Sequence, residues 1–512
     1  MSESLDGPAD GSGVPPLAAD PGGSSSAVRP GAALAVLAGA QFAVALSTSI
    51  VNVALPAVRD GVGLSETGMA WVVNSYGLAF GALLLLGGRA ADLVGRRRVL
   101  LAGLGLFSAA ALAAGLATTP WMLIAARTAQ GVGAAAVAPA ALSLVMQLFP
   151  PGPGRGKALG VWGAVSGAGG AAGVLLGGVL TEGLGWPWVF HASAIGAVLV
   201  LACTIVLVPA TPRPDGAPRR LDLVGTVTVT LGLVALVYGL TAAGRSGWSD
   251  PPVLGSFATA GVLLLVFVLV ERRHPAPLLP PRLFSAGLVA PANLVMALLG
   301  SVWVGPFFFL PLYQQQVLGA GPLEAGLSQL PLAAANMLGS SLAPRLARRL
   351  GPNVTLAAGL LTQTAGLLWL SRVSADGTFL ADVLGPIVVI GLGLGIAFVQ
   401  LTGAAVTGVR PADSGLASGL VNTTRQIGGA IGLAVLGTLA ASTTASFSAY
   451  HSRAEALTEG YRTAFLVSAF ILAGGAALTP YLAHRSARQA EADEEEAAPD
   501  PAPRHPAPTT SR

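Results

Sequence analysis

Gly88-Arg89-Ala90-Ala91-Asp92-Leu93-Val94-Gly95-Arg96-Arg97-Arg98 is a polar island between two apolar runs, and it has an echo. Pro344-Arg345-Leu346-Ala347-Arg348-Arg349-Leu350-Gly351 aligns with its opening residues at an offset of 256. A second pair agrees. Ala158-Leu159-Gly160 and Gly169-Gly170-Ala171-Ala172-Gly173 match Ala417-Ser418-Gly419 and Gly428-Gly429-Ala430-Ile431-Gly432 at an offset of 259. Two independent matches at nearly one offset argue for a duplicated half.

The sequence around these islands sets what each half contains. Apolar runs of roughly 20 residues recur, the length that a ~30 Å hydrocarbon core demands. They fall at 31–57, 66–88, 99–118, 120–146, 158–181, 187–208, 222–242, 252–271, 288–313, 324–344, 353–372, 380–408, 415–441 and 461–483. None alternates with the period of two that a barrel strand needs, so all fourteen read as helices. Eight runs, not six, separate the copies. The expected fold is an all-α membrane protein of 14 spans in a 6+2+6 plan. Residues 31–208 form one bundle, 209–284 an inserted hairpin with its flanking loops, and 285–483 the second bundle. The hairpin is expected outside the two bundles, because duplication accounts for the other twelve runs. Parallel six-helix repeats are a transporter architecture with a solute site between them.

Composition agrees. The chain has 512 residues, of which 53% are hydrophobic and only 10% charged, where a soluble domain carries about 25% charge. Mean hydropathy is +0.70. These values exclude an ordinary soluble enzyme, a nucleic-acid binder and a disordered chain. The net charge of +4 reflects where the arginines sit rather than a polyanion partner. With residue 1 on the inside, sixteen basic residues fall in inner loops and five in outer loops, which places both termini in the cytoplasm. Residues 1–30 and 484–512 read as disordered cytoplasmic tails. The first apolar run is long enough to span and lacks the basic start of a cleaved leader.

Reactive chemistry is sparse. A single cysteine, Cys203, rules out an intrachain disulfide. The five histidines are scattered without metal spacing. Gly154-Arg155-Gly156-Lys157-Ala158 is no phosphate loop, and no loop is large enough for an ATPase domain. The expectation is no enzyme, no cofactor and no metal.

The motifs carry the functional reading. The island at Gly88, Asp92, Gly95, Arg96 and Arg97 resembles the signature loop of the major facilitator superfamily. The resemblance implies a gating latch that makes and breaks as two halves rock. Arg348 stands at the Asp92 position of the second copy, so that loop cannot act identically. Leu46-Ser47-Thr48-Ser49-Ile50-Val51-Asn52-Val53-Ala54-Leu55-Pro56 is similar to the first-helix motif of the fourteen-spanner drug:proton antiporters, a multidrug efflux branch of that superfamily. Gln41, Thr48 and Asn52 share one helix face, facing either a wet cavity or a neighbouring helix. The motif's aspartate is Ser47 here, and serine carries no proton at ordinary pH. No carboxylate replaces it in mid-membrane; Glu182 and Asp382 come nearest.

Arg127-Thr128-Ala129-Gln130-Gly131 resembles the family's buried-arginine motif. The resemblance links Arg127 and Gln130, three apart on one face, to proton movement; a structural hydrogen-bond hub is the other reading. Gly173, Gly177 and Gly178 resemble the exporters' glycine motif with Val174 in place of its proline, and close helix packing alone also explains them. Gly415 to Gly429 matches a further family motif that brings Asn422, Arg425 and Gln426 together, with Arg425 facing the cavity or snorkelling to the surface. Asn74 and Tyr76 lie in Trp71-Val72-Val73-Asn74-Ser75-Tyr76, and Tyr313 and Gln314 in Leu312-Tyr313-Gln314-Gln315-Gln316.

Taken together, the resemblance implies a secondary transporter of the bacterial cytoplasmic membrane that exports small amphipathic organic compounds by alternating access. A proton gradient is the suspected energy source, the bilayer the surrounding partner and a monomer the expected state. Loss of the first-helix acid keeps a uniporter or facilitator open, and a transport-inactive sensor or scaffold stands behind both.

Overall fold

A computed structural model describes residues 30–149, 153–209, 222–275, 277–285, 287–409, 414–485 and 487. Of the two expected disordered tails, Pro30, His484, Arg485 and Ala487 are described and are helical; the rest of both lies outside these residues. The first half comprises α1 (Pro30–Val62), α2 (Glu66–Val94), α3 (Arg96–Gly115), α4 (Pro120–Leu148), α5 (Pro153–Leu184) and α6 (Pro187–Leu207). The hairpin is α7 (Leu223–Ser246) and α8 (Pro251–Arg273). After the short α9 (Pro281–Ser285) come α10 (Val289–Gln316), α11 (Pro322–Leu327), α12 (Leu330–Leu350), α13 (Pro352–Leu370), α14 (Leu384–Ala404), α15 (Ser414–Phe447) and α16 (Arg453–Ala477). A π-turn, Phe379–Val383, leads into α14.

Local chemistry sets the element ends. Ser65 caps α2 by accepting from the Gly68 N–H at 3.1 Å. Ser452 and Glu455 form a reciprocal capping box that starts α16 eight residues before the expected 461. Gly95 at φ 109° breaks α2 from α3, and Gly351 at φ 84° breaks α12 from α13. Both bends need a residue without a Cβ, and they occupy equivalent places in the two copies.

Thirteen of the described helices are long and apolar enough to cross a membrane. The fourteenth expected span is the exception. The 324–344 run divides into α11 and α12, with Pro331, which lacks an N–H, at the start of the second piece. α12 has the length, 21 residues. Asn336, Ser340 and Ser341, together with Arg345, Arg348 and Arg349 in its last turns, make it less apolar than its neighbours.

Helix pairing repeats between the halves. α1 packs on α5 as α10 packs on α15; α2 and α3 pack on α4 as α12 and α13 pack on α14; and α3 meets α6 as α13 meets α16. The contacts between halves follow the same rule: α2 meets α15, and α5 meets α11 and α12. The two halves thus repeat one six-helix arrangement, and the even number of long helices, α12 included, returns both described ends of the chain to one face, called here the terminal face. α7 lies in the α2–α15 seam, where Leu233 and Val237 join Leu78, Ala82, Ala430 and Ala434 in one cluster. α8 lies outermost and exposes Leu254, Val262 and Leu265, the apolar surface a bilayer covers.

One face of α5 shows how the halves are set. At Val174 it meets Val53 of α1 and Ala325 of α11, and a Cβ at Gly178 would stand 2.6 Å from the Pro322 carbonyl oxygen. On the same face toward the terminal side, a Cβ at Gly167, Gly163 or Gly160 meets nothing within 4 Å. The halves touch at the distal face and diverge toward the terminal face along this flank. Gln315 donates from Nε2 to the Val53 carbonyl at 2.9 Å, and the Leu323 N–H donates to Glu182 Oε2 at 3.0 Å; both bonds tie the distal face shut.

Gly178→Val is expected to wedge this closure open, at an overpacking cost of about 1–3 kcal/mol. In a Cys203→Ser background, maleimide labelling of Val53→Cys, a buried position, should become severalfold faster when Gly178→Val is added. An unchanged labelling rate would show that Gly178 does not hold the halves together.

Candidate functional site

The site is built around a charge in the wrong solvent. Arg127 lies seven residues inside α4, about 10 Å along its axis at 1.5 Å per residue, and is 1% exposed. A charged side chain at the centre of a membrane helix costs roughly 2.5–3.5 kcal/mol on insertion scales, so its surroundings must compensate. They do so with neutral groups. Nε donates to the Val72 carbonyl of α2 at 3.2 Å. Nη1 donates to Gln130 Oε1 at 2.7 Å and to Ser47 Oγ at 3.3 Å. Gln130 Nε2 donates to the same Ser47 hydroxyl at 2.9 Å. The guanidinium carbon sits 4.3 Å from the centroid of the Tyr76 ring and 6.0 Å from that of Phe190, with the ring faces supplying further stabilisation. Nη2 finds no partner among the described residues.

Ser47, Arg127 and Gln130 thus form one hub linking α1 and α4, with α2 contributing Val72 and Tyr76. The serine stands where the resemblance places an aspartate. The hub therefore keeps a net positive charge, with no carboxylate bonded to it. Thr48 and Tyr76 both donate to the Val44 carbonyl, at 3.0 and 3.3 Å, which anchors the phenol against α1. Asn52 and Asn74 are buried nearby in sequence; Asn52 Oδ1 and Asn74 Nδ2 have no partner among the described residues, nor does Gln41 Oε1.

The second half supplies its own arginine. Arg425 lies eleven residues into α15, about 16 Å along the axis, and is half-buried. Nη2 donates to Asn422 Oδ1 at 3.1 Å, and the guanidinium carbon is 5.4 Å from the Trp303 ring of α10. Trp303 stacks on Phe307 and meets Phe398 of α14 edge-on. Asn422 is exposed, whereas Gln426 is packed at the α2 crossing, where a Cβ at Gly81 would stand 2.8 Å from its own.

The remaining sequence candidates fall elsewhere. Tyr313 donates to the Ser374 carbonyl at 2.6 Å and Gln314 accepts from the Ser328 hydroxyl at 2.8 Å, both within the second half near the distal face. Gln315, between them, makes the cross-half bond. Gly173 and Gly177 press on α1, a Cβ at Gly173 standing 2.7 Å from the Leu46 carbonyl oxygen, while Gly178 faces α11. The expected loop is helical: Gly88 and Asp92 lie in the last turns of α2 and Arg96 and Arg97 open α3, with only Gly95 between; Asp92 pairs with Arg96 at 3.5 Å, Arg96 reaches the Ser143 carbonyl, and Arg97 donates to the Ile205 carbonyl at 2.8 Å. Those contacts stay within the first half. Phe190, Trp303, Phe307, Phe398 and Gln315 were not selected from sequence. An aromatic residue in an apolar run carries no signal of its own, and Gln315 was marked only by its place beside Tyr313 and Gln314.

A model of the Major Facilitator Superfamily matches residues 37–433. The chain belongs to that superfamily. This transporter is 43% identical over 453 residues to the cephamycin export protein CmcT of Amycolatopsis lactamdurans, a match covering 88% of this chain and 92% of that protein. It is 41% identical over 455 residues to the puromycin resistance protein pur8 of Streptomyces alboniger, covering 88% and 90%. Among solved structures it resembles a bacterial homologue of the human lysosomal transporter Spinster, captured inward-facing and unoccupied, with a TM-score of 0.66 over 91% of this chain and 99% of that one. At 16% identity that likeness is one of fold. Family and fold are those of multi-pass membrane transporters, not of enzymes.

Ser47→Ala should strand donors of both Arg127 and Gln130, at about 1–3 kcal/mol for buried groups left unpaired. Thr48→Val removes a hydroxyl that donates to the Val44 carbonyl and lies beside the Tyr76 phenol but bonds no buried charge, and it should cost less. Thermal unfolding of the two variants in one detergent separates them, and equal losses would contradict the hub.

Proposed function

We propose that this transporter exports amphipathic drug-like compounds from the cytoplasm across the bacterial plasma membrane by alternating access. The observation that carries the reading is the single face of α5 that meets the opposite half at Val174 and Gly178 and open space at Gly167, Gly163 and Gly160. Two rigid bundles with that relation expose a central route to one side at a time. The export and resistance relatives support the class of cargo. The arginine excess at Arg96–Arg98 and Arg345–Arg349 supports a cytoplasmic terminal face. On that orientation the conformation is inward-facing, ready to load.

Ser47 favours a second reading in one respect. The hub has no titratable carboxylate, so the transporter would act as a facilitator if no other group carries a coupling proton. Efflux from loaded cells decides between the two: a coupled exporter stops when the proton gradient is collapsed, and a facilitator continues down the solute gradient.

Expression in an efflux-deficient bacterial host should raise resistance to some members of an antibiotic panel at least fourfold. Arg127→Ala should abolish that gain while membrane levels stay within about twofold of the parent, the loss of a charge that the hub is built to hold. A panel with no change in any member would overturn the export reading.

A further inference from the structure

We propose that the route between the two halves selects organic anions, binding an aromatic or apolar body on the Trp303 platform and its acidic group at Arg425. The inference rests on the export reading and names the substrate class of the same site. Its basis is a charge imbalance. Arg127 and Arg425 enter the interior from opposite halves, Arg127 at 4.3 Å from the Tyr76 ring and Arg425 at 5.4 Å from the Trp303 ring. Among the described residues, α4, α10, α12, α14 and α15 carry no acid at all. The acids of α1, α2 and α5 sit near helix ends, and several are engaged there: Asp60 with Arg59, Asp92 with Arg96, and Glu182 with the Leu323 N–H. Among the described residues neither arginine is bonded to a carboxylate, and Arg127 Nη2 and Arg425 Nε are buried donors without partners.

In a low-dielectric cleft such charges add to a positive potential that concentrates anions and repels cations. Arg127 is sealed behind Tyr76 and Phe190, so it contributes field rather than contact. Arg425 is half-buried and is held by Asn422, which is exposed. Its guanidinium keeps donors free beside the stacked Trp303 and Phe307 rings. A planar fork next to an aromatic platform fits a carboxylate or sulfonate carried on a ring or hydrocarbon body.

The test uses the full-length transporter in phosphatidylcholine nanodiscs and three probes with one apolar body: pyrenebutyrate, its amide, and the matching trimethylammonium. Binding is read by energy transfer from tryptophan to pyrene, corrected with empty nanodiscs. The anion should bind at least tenfold tighter than the amide, and the cation more weakly than either. Arg425→Gln should erase the gap between anion and amide while leaving amide affinity within about twofold, which also shows that the variant is folded. Arg425→Lys should retain part of the gap. A cation bound as tightly as the anion, or a gap that survives both Arg425→Gln and Arg127→Gln, overturns the proposal. Efflux of the same probes from loaded cells keeps the two readings apart. Anion-selective binding with no probe exported sinks the export reading and upholds this one; export of the cation but not the anion does the reverse.

Discussion

Backbone laid on backbone at the distal end of α5 is the constraint on which the arrangement depends. Inside a bilayer, hydrophobic burial does little to choose between helix partners, so close approach of small residues sets which helices move together. Gly173 and Gly177 let α5 lie against α1, and Gly428 does the same for α15 on α10, where a Cβ would stand 3.0 Å from the Ala297 Cα. Each half is thereby locked to itself. Between the halves, α5 meets α11 at Gly178 and Pro322, Gln315 bonds Val53, Glu182 accepts from Leu323, and α2 crosses α15 at Gly81 and Gln426. Rocking requires these cross-half contacts to open and close while each bundle keeps its own.

The polar hub occupies the first of those rigid halves. Ser47, Arg127 and Gln130 satisfy one another across α1 and α4, and Tyr76 closes the side that faces the other bundle. Because the acceptors are neutral, the charge is solvated by dipoles and a ring face rather than cancelled. That distinction follows from a single position. An acid at residue 47 would make the hub an ion pair and a proton carrier; a serine makes it a fixed positive centre. The α7–α8 hairpin stands apart from this chemistry. Through Leu233 and Val237 it covers the α2–α15 seam that the two bundles leave on that side.

Much of this was legible in the sequence, for identifiable reasons. The duplicated islands at Gly88 and Pro344 gave the two halves, and run length against bilayer thickness gave the spans. Arg127 and Gln130 could be paired because they lie three apart on one helix. The α11–α12 break was hidden within a run that averages as apolar, and the capping box of α16 lay outside its apolar stretch. The meeting of Ser47 with Arg127, 80 residues away, and of Arg425 with Trp303 depends on tertiary packing that no periodicity encodes. The hairpin was expected outside the two bundles, and nothing in the composition of α7 marks the side of it that contacts α2 and α15.

The rocking of two rigid halves about a closed distal contact is tested most directly by spin-label distances in nanodiscs, with and without an exported drug. One pair joins Lys157 and Arg348, exposed on the terminal side, and the other joins Leu184 and Leu327, exposed on the distal side. The account predicts that the drug shortens the first distance and lengthens the second together. Both distances holding still, or both moving in the same direction, would contradict it.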